Sequence, residues 1–202
     1  TGAGPDLTQP TVVRTSPFNG ATNIPVNAVI TLETDEPIDP GTVDSDTFIV
    51  RDNTTFQNVA GTYSVSASGR LISFVPDAPL AISRSHSVFV SSQGILDLAG
   101  NFLTGSNFSF TTGTATDTTA PQVVGVSPAD GWLNVPINAR VSIRFDEPIQ
   151  STSIAGVTLS TGGTPVGVIS SFSDGNRLLT LTPMVPLAGL TAYTVTIAGG
   201  VK

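Results

Sequence analysis

Short stretches of the chain alternate between apolar and polar residues. Over residues 139–145 the odd-numbered positions are Ala, Val, Ile and Phe, while the even-numbered positions are Arg, Ser and Arg. A period of two with a charged second face predicts a β-strand that lies half in a core and half in solvent. Residues 28–34, 86–90 and 193–197 follow the same alternation and predict three more strands of this kind.

Further strands are expected where runs rich in β-branched and aromatic residues lie between clusters of Gly, Pro, Asn and Asp. These runs occupy residues 12–15, 47–51, 59–65, 71–75 and 107–112. Seven short strands in the first 112 residues, without a helical stretch, predict an all-β immunoglobulin-like sandwich. The expected core positions are Ile30, Leu32, Ile72, Phe74, Val88, Val141, Ile143, Leu179, Leu181 and Val195.

The chain contains an internal repeat. Residues 10–40 align without gaps on residues 121–151 at an offset of 111, and 14 of the 31 aligned positions are identical. Further along the offset falls to 107, so that His86 aligns with Tyr193. Self-similarity of this kind predicts two copies of one structural unit. The fold class that we predict is therefore two tandem immunoglobulin-like β-sandwiches.

The repeat also predicts domain boundaries. We expect a first Ig-like domain over residues 8–112, a small polar linker over residues 113–119, and a second Ig-like domain over residues 120–202. Lys202 aligns with Ile95, so the second domain is expected to lack its last strand. We interpret the chain as a segment of a longer protein, and we expect a segment of a neighbouring molecule to cover the unpaired edge.

Two motifs carry a family resemblance. The pattern S-P-x-x-G-x-x-N-[IV]-P occurs at Ser16–Pro25 and again at Ser127–Pro136, and D-x-x-G-N occurs at Asp97–Asn101. Together with the Glu-Pro pair after the central strand, these motifs resemble bacterial Ig-like domains, in particular the SbsA type found in S-layer and other secreted or surface proteins. Tyr193 of the second repeat resembles the tyrosine corner of that family, and the first repeat departs from the family by having His86 at the equivalent position.

The resemblance implies an exported bacterial protein, placed outside the cell or at its surface. It implies a non-catalytic structural, spacer or adhesion role, with neighbouring repeats of the same protein as partners. A glycan- or protein-binding accessory module, attached to a secreted hydrolase for example, is the alternative function. An enzyme is not expected.

Composition and charge exclude several other classes. The 202 residues include 8 Lys and Arg against 15 Asp and Glu, a formal net charge of −7. This balance opposes phosphate neutralisation, so we expect no nucleic acid partner. The absence of Cys excludes disulfides, Cys-ligated zinc and a cysteine nucleophile. No apolar run approaches the roughly 20 residues that span a bilayer, so we expect no membrane insertion in this segment.

The titratable residues favour structural roles over catalysis. His86, the only histidine, lies on the apolar face of its strand, where we expect a hydrogen bond to a backbone carbonyl. Asp35-Glu36 and Asp146-Glu147 are sequence neighbours, and neighbours on a strand point to opposite faces. They therefore do not form an opposed acid–base pair of the glycosidase kind.

Calcium is the one cofactor that the acidic residues would suit, because it binds carboxylate and amide oxygens. In a sandwich of this type Asp35 and Glu36 approach Asp97 and Asn101 at one pole, which also receives the incoming chain. Asp117 is then expected near Asp146 and Glu147 in the second copy. The alternative for D-x-x-G-N is a glycine turn without an ion, because no D-x-D-x-D loop is present.

Trp132 replaces Ala21 in the second repeat and is the only tryptophan. An exposed aromatic ring can stack on a sugar, which makes Trp132 a candidate ligand-binding residue. The alternative is that the ring caps the sandwich or packs at the joint between the domains.

Overall fold

The computed structural model describes residues 4–202. The chain divides into two compact units that meet between Thr118 and Thr119, and we call them the first and second domains. Both consist of strands, apart from the short 3-10 turns Pro40–Thr42 and Ile154–Gly156. Among the described residues, no helix has the length and apolar character that a membrane span requires.

The first domain has eight strands in two four-stranded sheets. Its strands are β1 Val12–Ser16, β2 Ala21–Ile24, β3 Ile30–Thr34, β4 Phe48–Asp52, β5 Gly61–Val65, β6 Leu71–Pro76, β7 Ser85–Val90 and β8 Ser106–Thr112. One sheet has the order β1-β3-β6-β5 and the other β2-β8-β7-β4. All pairs are antiparallel except β2 with β8, which is parallel.

The alternation of apolar residues sets the register of the first domain. Leu32 of β3 lies opposite Ile72 of β6, and Val50 of β4 lies opposite Val88 of β7. All four side chains are buried, so both sheets present their apolar faces to one core. Phe48, Tyr63 and Phe74 pack there with ring centroids 5.1–6.3 Å apart.

The second domain has seven strands. They are β9 Val123–Ser127, β10 Val141–Phe145, β11 Val157–Thr161, β12 Thr164–Pro165, β13 Val168–Ser173, β14 Leu178–Pro183 and β15 Thr194–Ile197. One sheet has the order β9-β10-β14-β13, which repeats β1-β3-β6-β5 of the first domain. The other has the order β12-β11-β15 and contains no counterpart of β2 or β8.

The predicted fold of two tandem sandwiches, the second without its last strand, is confirmed. The expected core positions are buried except Val195 of β15, which is partly buried; β15 pairs with β11 on one side only. The seven-strand prediction missed β2, which the sequence pattern presents as part of a loop. Residues 132–135, which align with β2, form no strand.

The repeated motif before the central strand has the same backbone conformation at its glycine and at its asparagine in both domains. Gly20 and Gly131 have φ values of 81° and 74°, and Asn23 and Asn134 have φ values of 58° and 57°. Gly and Asn are the residues that adopt this left-handed region most readily. The Ser16–Pro17 and Ser127–Pro128 peptide bonds are cis in both copies.

Candidate metal centre

Three carboxylates meet at one pole of the first domain. One carboxylate oxygen each from Asp6, Glu36 and Asp97 lies within 4.8 Å of the other two. Asp97 is buried, Glu36 is half-buried and Asp6 is exposed, so the group opens to solvent on one side. We call these three residues the acidic cluster.

Two loops and the N-terminal segment build the acidic cluster. Glu36 follows β3, and Asp97 lies in the loop between β7 and β8. The loops are joined by a β-bridge between Ile38 and Asp97 and by a 2.8 Å hydrogen bond from Asp39 N to Leu96 O. Asp6, in the segment that precedes β1, lies at the same pole.

Asp97 is held firmly by its own turn. Its Oδ1 accepts hydrogen bonds from the backbone N–H groups of Ala99 at 2.7 Å and Asn101 at 2.9 Å, and its Oδ2 accepts one from Asn101 Nδ2 at 2.8 Å. Gly100 within this turn has a φ of 88°, which only glycine adopts readily. The D-x-x-G-N motif is therefore a glycine turn that orients a buried carboxylate.

Asp6 is also fixed by hydrogen bonds. Its Oδ1 accepts from the N–H of Thr8 at 3.0 Å and from Thr8 Oγ1 at 2.5 Å. Its backbone carbonyl accepts from Asn101 Nδ2 at 3.3 Å, so the Asn101 amide contacts both Asp6 and Asp97.

The three pKa values diverge. Desolvation, followed by repulsion from Asp6, Asp97 and Asp35, raises the pKa of Glu36. Hydrogen bonds from Thr8 lower the pKa of Asp6. Desolvation opposes ionisation of Asp97, but the hydrogen bonds from Asn101, Ala99 and Gly100 together lower its pKa.

Glu36 therefore shares a small volume with two carboxylates that ionise more readily. Arg14–Glu33, Arg84–Asp52 and Arg144–Asp174 are ion pairs of the described residues, and none of these three involves the acidic cluster. A group of oxygen ligands with an excess of negative charge is the chemistry that a hard divalent cation prefers.

Sequence reasoning named Glu36, Asp97 and Asn101 at this pole but missed Asp6. A signal for Asp6 was present, because Asp6 aligns with Asp117 at the repeat offset of 111. Asp35 lies outside the acidic cluster. Its carboxylate accepts hydrogen bonds from the N–H of Thr11 at 2.7 Å and from Thr11 Oγ1 at 2.6 Å, which lower its pKa.

The second repeat preserves the contact that Asp35 makes. Asp146 Oδ1 accepts from the N–H of Gln122, the counterpart of Thr11, at 2.8 Å. In both domains the aspartate N–H donates in return to the backbone carbonyl of the same partner, at 3.1 Å and 3.0 Å. Asp35 therefore holds the segment that precedes β1 against the end of β3, and Asp146 holds the segment that precedes β9 against the end of β10.

Asp117 lies at the other end of the first domain from Asp35. Its N–H donates to Asn27 Oδ1 at 3.0 Å, and its carbonyl accepts from Asn27 Nδ2 at 2.8 Å. Asn27 precedes β3 and Asp35 follows it, so β3 separates the two aspartates. The expected approach of Asp117 to Asp146 and Glu147 stays a prediction.

His86 is buried and Trp132 is exposed. The His86 ring is buried, stacks on Phe110 with centroids 5.3 Å apart, and has Nδ1 3.2 Å from the Arg84 carbonyl oxygen, which confirms its structural role. Its counterpart Tyr193 accepts the Ala188 N–H at 2.7 Å on its hydroxyl, as a tyrosine corner does. Trp132 is 67% exposed, and its binding to a sugar stays a prediction.

A family model described as "Bacterial Ig-like domain" matches residues 6–112 and again residues 117–202. The chain belongs to the bacterial Ig-like domain family. This bacterial Ig-like pair accounts for nearly the whole chain, and the suspected family is confirmed. The family is one of non-catalytic domains. A search of the curated proteins returned no match.

Several solved structures are similar to this pair of bacterial Ig-like domains. CopC from Methylosinus trichosporium OB3b is 16% identical with a TM-score of 0.43, over 55% of this chain and 100% of that one. The N-terminal part of the bacterial S-layer protein SbsC is 13% identical with a TM-score of 0.42, over 94% of this chain and 44% of that one. The LD transpeptidase LdtMt1 in complex with imipenem is 18% identical with a TM-score of 0.39, over 82% and 62%.

The bacterial Ig-like pair thus spans less than two thirds of the S-layer and transpeptidase chains. All three TM-scores lie below 0.5, so the family assignment rests on the sequence match.

Proposed function

We propose that this chain is a non-catalytic spacer segment of a larger bacterial protein that is exported and displayed outside the cell or at its surface. The observation that carries the proposal is the duplication itself: the same sandwich occurs twice, joined by a short connection. Repetition of a rigid domain extends a chain by a defined length, which suits a stalk or a surface layer. Neighbouring repeats of the same protein are then its main partners.

The titratable groups support a non-catalytic role. His86 is buried against Phe110, and Asp35 and Asp146 accept backbone hydrogen bonds. An open depression of about 300 Å³ in the second domain has Arg140 as its one titratable lining residue. An acid–base mechanism requires two groups that converge on one reacting atom.

The location can be tested on intact cells of the parent bacterium. An antibody raised against this 202-residue chain should label unbroken cells, and external protease should remove the signal. Labelling that requires lysis would contradict an exposed position. For the spacer role, deletion of residues 8–112 should leave the parent protein's other activities intact while shortening its reach.

An accessory binding module is the alternative. Trp132 is exposed, and stacking on a sugar ring would use such a residue. A glycan array probed with the chain and with a Trp132→Ala variant separates the two functions. Glycan binding by the chain that is lost in the Trp132→Ala variant would favour the accessory role. No glycan binding by either protein would favour the spacer role.

Calcium binding is a second candidate function, favoured by the acidic cluster. We expect Asp6, Glu36 and Asp97 to bind Ca²⁺ with a dissociation constant of about 0.1–1 mM, the range of extracellular calcium-binding modules. The ligand form of Glu36 is the ionised carboxylate, and the pKa of Glu36 is raised, so the affinity for Ca²⁺ should decrease as the pH falls into the acidic range.

Titration calorimetry with CaCl₂ tests this directly. Glu36→Gln should weaken binding at least tenfold. Asp77→Asn is a matched control, because it removes one negative charge from the first domain at the opposite end of β6. No heat of binding at millimolar Ca²⁺, or equal loss in both variants, would eliminate the site.

A further inference from the structure

Asn19 and Gly20 form the one Asn-Gly step in the sequence. In such a step the side-chain amide carbon can close a five-membered ring with the next backbone nitrogen, and glycine has no Cβ to obstruct the approach. Both residues are exposed, so water and dissolved base can reach them. The step therefore has the composition and the solvent access that a reaction within the chain requires.

The fold holds both reacting groups on one residue of β8. The Gly20 N–H donates to the Ser109 carbonyl oxygen at 2.7 Å, and Asn19 Oδ1 accepts from the Ser109 N–H at 3.0 Å. The Asn19 side chain thus replaces a backbone carbonyl in a reciprocal pair of bonds with β8. While these bonds hold, the proton on the Gly20 nitrogen is engaged with Ser109, and the Asn19 amide oxygen is directed at the same residue.

The second repeat shows that an aspartate fits the same turn. A backbone hydrogen bond closes the four-residue turn 18–21 at 3.1 Å and the corresponding turn 129–132 at 3.2 Å. The glycine at the third position of each turn has a left-handed φ, 81° in the first and 74° in the second. The residue at the position of Asn19 is Asp130. Aspartate is also what asparagine becomes when its side chain loses ammonia and gains water.

We propose that Asn19 is a latent modification site, whose deamidation begins only when the turn releases Ser109. The Gly20 nitrogen gives its proton to a base and forms a bond to Asn19 Cγ. The bond from Cγ to Nδ2 breaks, and Nδ2 takes up a proton and leaves as ammonia. Water then opens the resulting succinimide ring at either carbonyl, which yields aspartate or isoaspartate at position 19.

The two products differ in their effect on β2. Aspartate at position 19 keeps an oxygen that can accept from the Ser109 N–H, and its turn has the geometry already present in the second repeat. Isoaspartate adds one carbon to the main chain just before β2, which begins at Ala21 opposite Phe110. The isoaspartyl product therefore weakens the pairing of β2 with β8. Either product is a permanent record that the turn has opened.

The test follows deamidation of the full chain in mildly alkaline buffer, in one sample folded and in the other unfolded by concentrated urea. Trypsin cleavage after Arg14 and Arg51 gives one peptide that contains Asn19, Asn23 and Asn27. Fragment masses assign the replacement of an amide NH₂ by OH to one of the three, and isoaspartyl methyltransferase labels the isoaspartyl product. Asn23 precedes Ile and Asn27 precedes Ala, so both are internal controls.

In urea, Asn19 should convert much faster than Asn23 and Asn27, because only Asn19 precedes a glycine. In the folded chain its conversion should be at least about 20-fold slower than in urea, because two hydrogen bonds to Ser109, each equivalent to about a factor of five, have to break first. Asn19→Gln is the matched control variant. It should convert far more slowly in urea, because the longer side chain has to close a six-membered ring.

Two results would overturn the proposal. One is conversion of Asn19 in urea that is no faster than that of Asn23 and Asn27, which would mean that the Asn-Gly step has no reactivity of its own. The other is equal conversion of Asn19 in the folded chain and in urea, which would mean that the contacts with Ser109 do not protect it.

Discussion

At the scale of single residues, one aspartate in each domain joins the incoming chain to the central strand. The contact is reciprocal, since the Asp35 N–H donates to Thr11 O while the Asp35 carboxylate accepts from the Thr11 N–H. The same pair of bonds between Asp146 and Gln122 shows that the backbone of the partner, rather than its side chain, is what the repeat preserves.

Replacing this aspartate should weaken the domain that contains it. Asp35→Ala removes two accepted hydrogen bonds and should lower the free energy of unfolding of the first domain by about 1 kcal/mol. Because the folded-state pKa of Asp35 is lowered, its contribution is complete above the usual value of 3.8 and is lost as the pH falls further. Urea denaturation at pH 7 and at pH 3 measures both effects. An unchanged first-domain transition at pH 7 would contradict the role.

His86 predicts a different pH dependence. Desolvation lowers its pKa, so the unfolded chain binds a proton more tightly than the folded domain. The stability of the first domain should be constant above pH 6.5, the usual histidine value, and should fall as the pH decreases below it. His86→Leu should remove this slope.

The Arg84 carbonyl keeps its hydrogen bonds from Thr112 N and Thr112 Oγ1 in that variant, so no buried acceptor is orphaned. Urea midpoints between pH 7.5 and pH 5 give the comparison. The same slope in both proteins would assign the effect to another group.

The contacts of Asp35 and Asp146 could not be predicted from the sequence. The repeat identified Asp35 and Asp146 as important but could not supply their partners, because a hydrogen bond to a backbone N–H leaves no residue pattern. Asp35 and Glu36 are adjacent, yet one fastens β1 and the other enters the acidic cluster. Adjacent residues on an extended chain point in different directions, and only the surrounding loops decide what each contacts.

At the scale of strands, the two domains fill the same space with different residues. Gly61 of β5 lies diagonally across from Phe74 of β6. A Cβ on Gly61 would overlap the Phe74 ring and lie 2.6 Å from the Val75 carbonyl oxygen. In the second domain the corresponding residues are Val168 and Leu181. The first domain thus combines a glycine with the large ring of Phe74, whereas the second combines a valine with the smaller side chain of Leu181.

This exchange predicts energetic coupling. Gly61→Val should destabilise the first domain by roughly 1–3 kcal/mol through overpacking. Combined with Phe74→Leu, it should cost less than the sum of the two single changes, because leucine vacates the space that valine enters. A double-mutant cycle by urea denaturation measures the coupling. Strict additivity would show that the two positions do not share that space.

The strands themselves were largely predictable, since period-two alternation reports which face is buried. β2 was not, because its pairing with β8 depends on a residue 89 positions away and its short sequence resembles a loop. In the second domain residues 132–135 form no strand, and no counterpart of β8 lies beside them.

At the scale of the whole molecule, the two domains differ in the size of their cores. The first domain buries 16 hydrophobic residues, whereas the second buries eight. Burial of apolar surface is the main stabilising contribution in such domains. The second domain should therefore open more readily than the first.

Hydrogen exchange tests this difference within a single sample. Amides of β10 and β14 in the second domain should exchange faster than those of β3 and β6, which occupy the same positions in the first. Addition of Ca²⁺ should slow exchange only in the first domain, where the acidic cluster lies. Equal protection of both central sheets would contradict the ranking by core size.

The position of β8 also affects how the first domain is synthesised. β1, β3, β5 and β6 have all left the ribosome once residue 76 has emerged, so their sheet can form early. β2 emerges near the beginning but has only β8, the last strand, as its partner. Until residues 106–112 emerge, the nascent domain carries an open edge to which a neighbouring nascent chain could pair. Emergence of β8 is therefore the moment at which the nascent domain loses that edge.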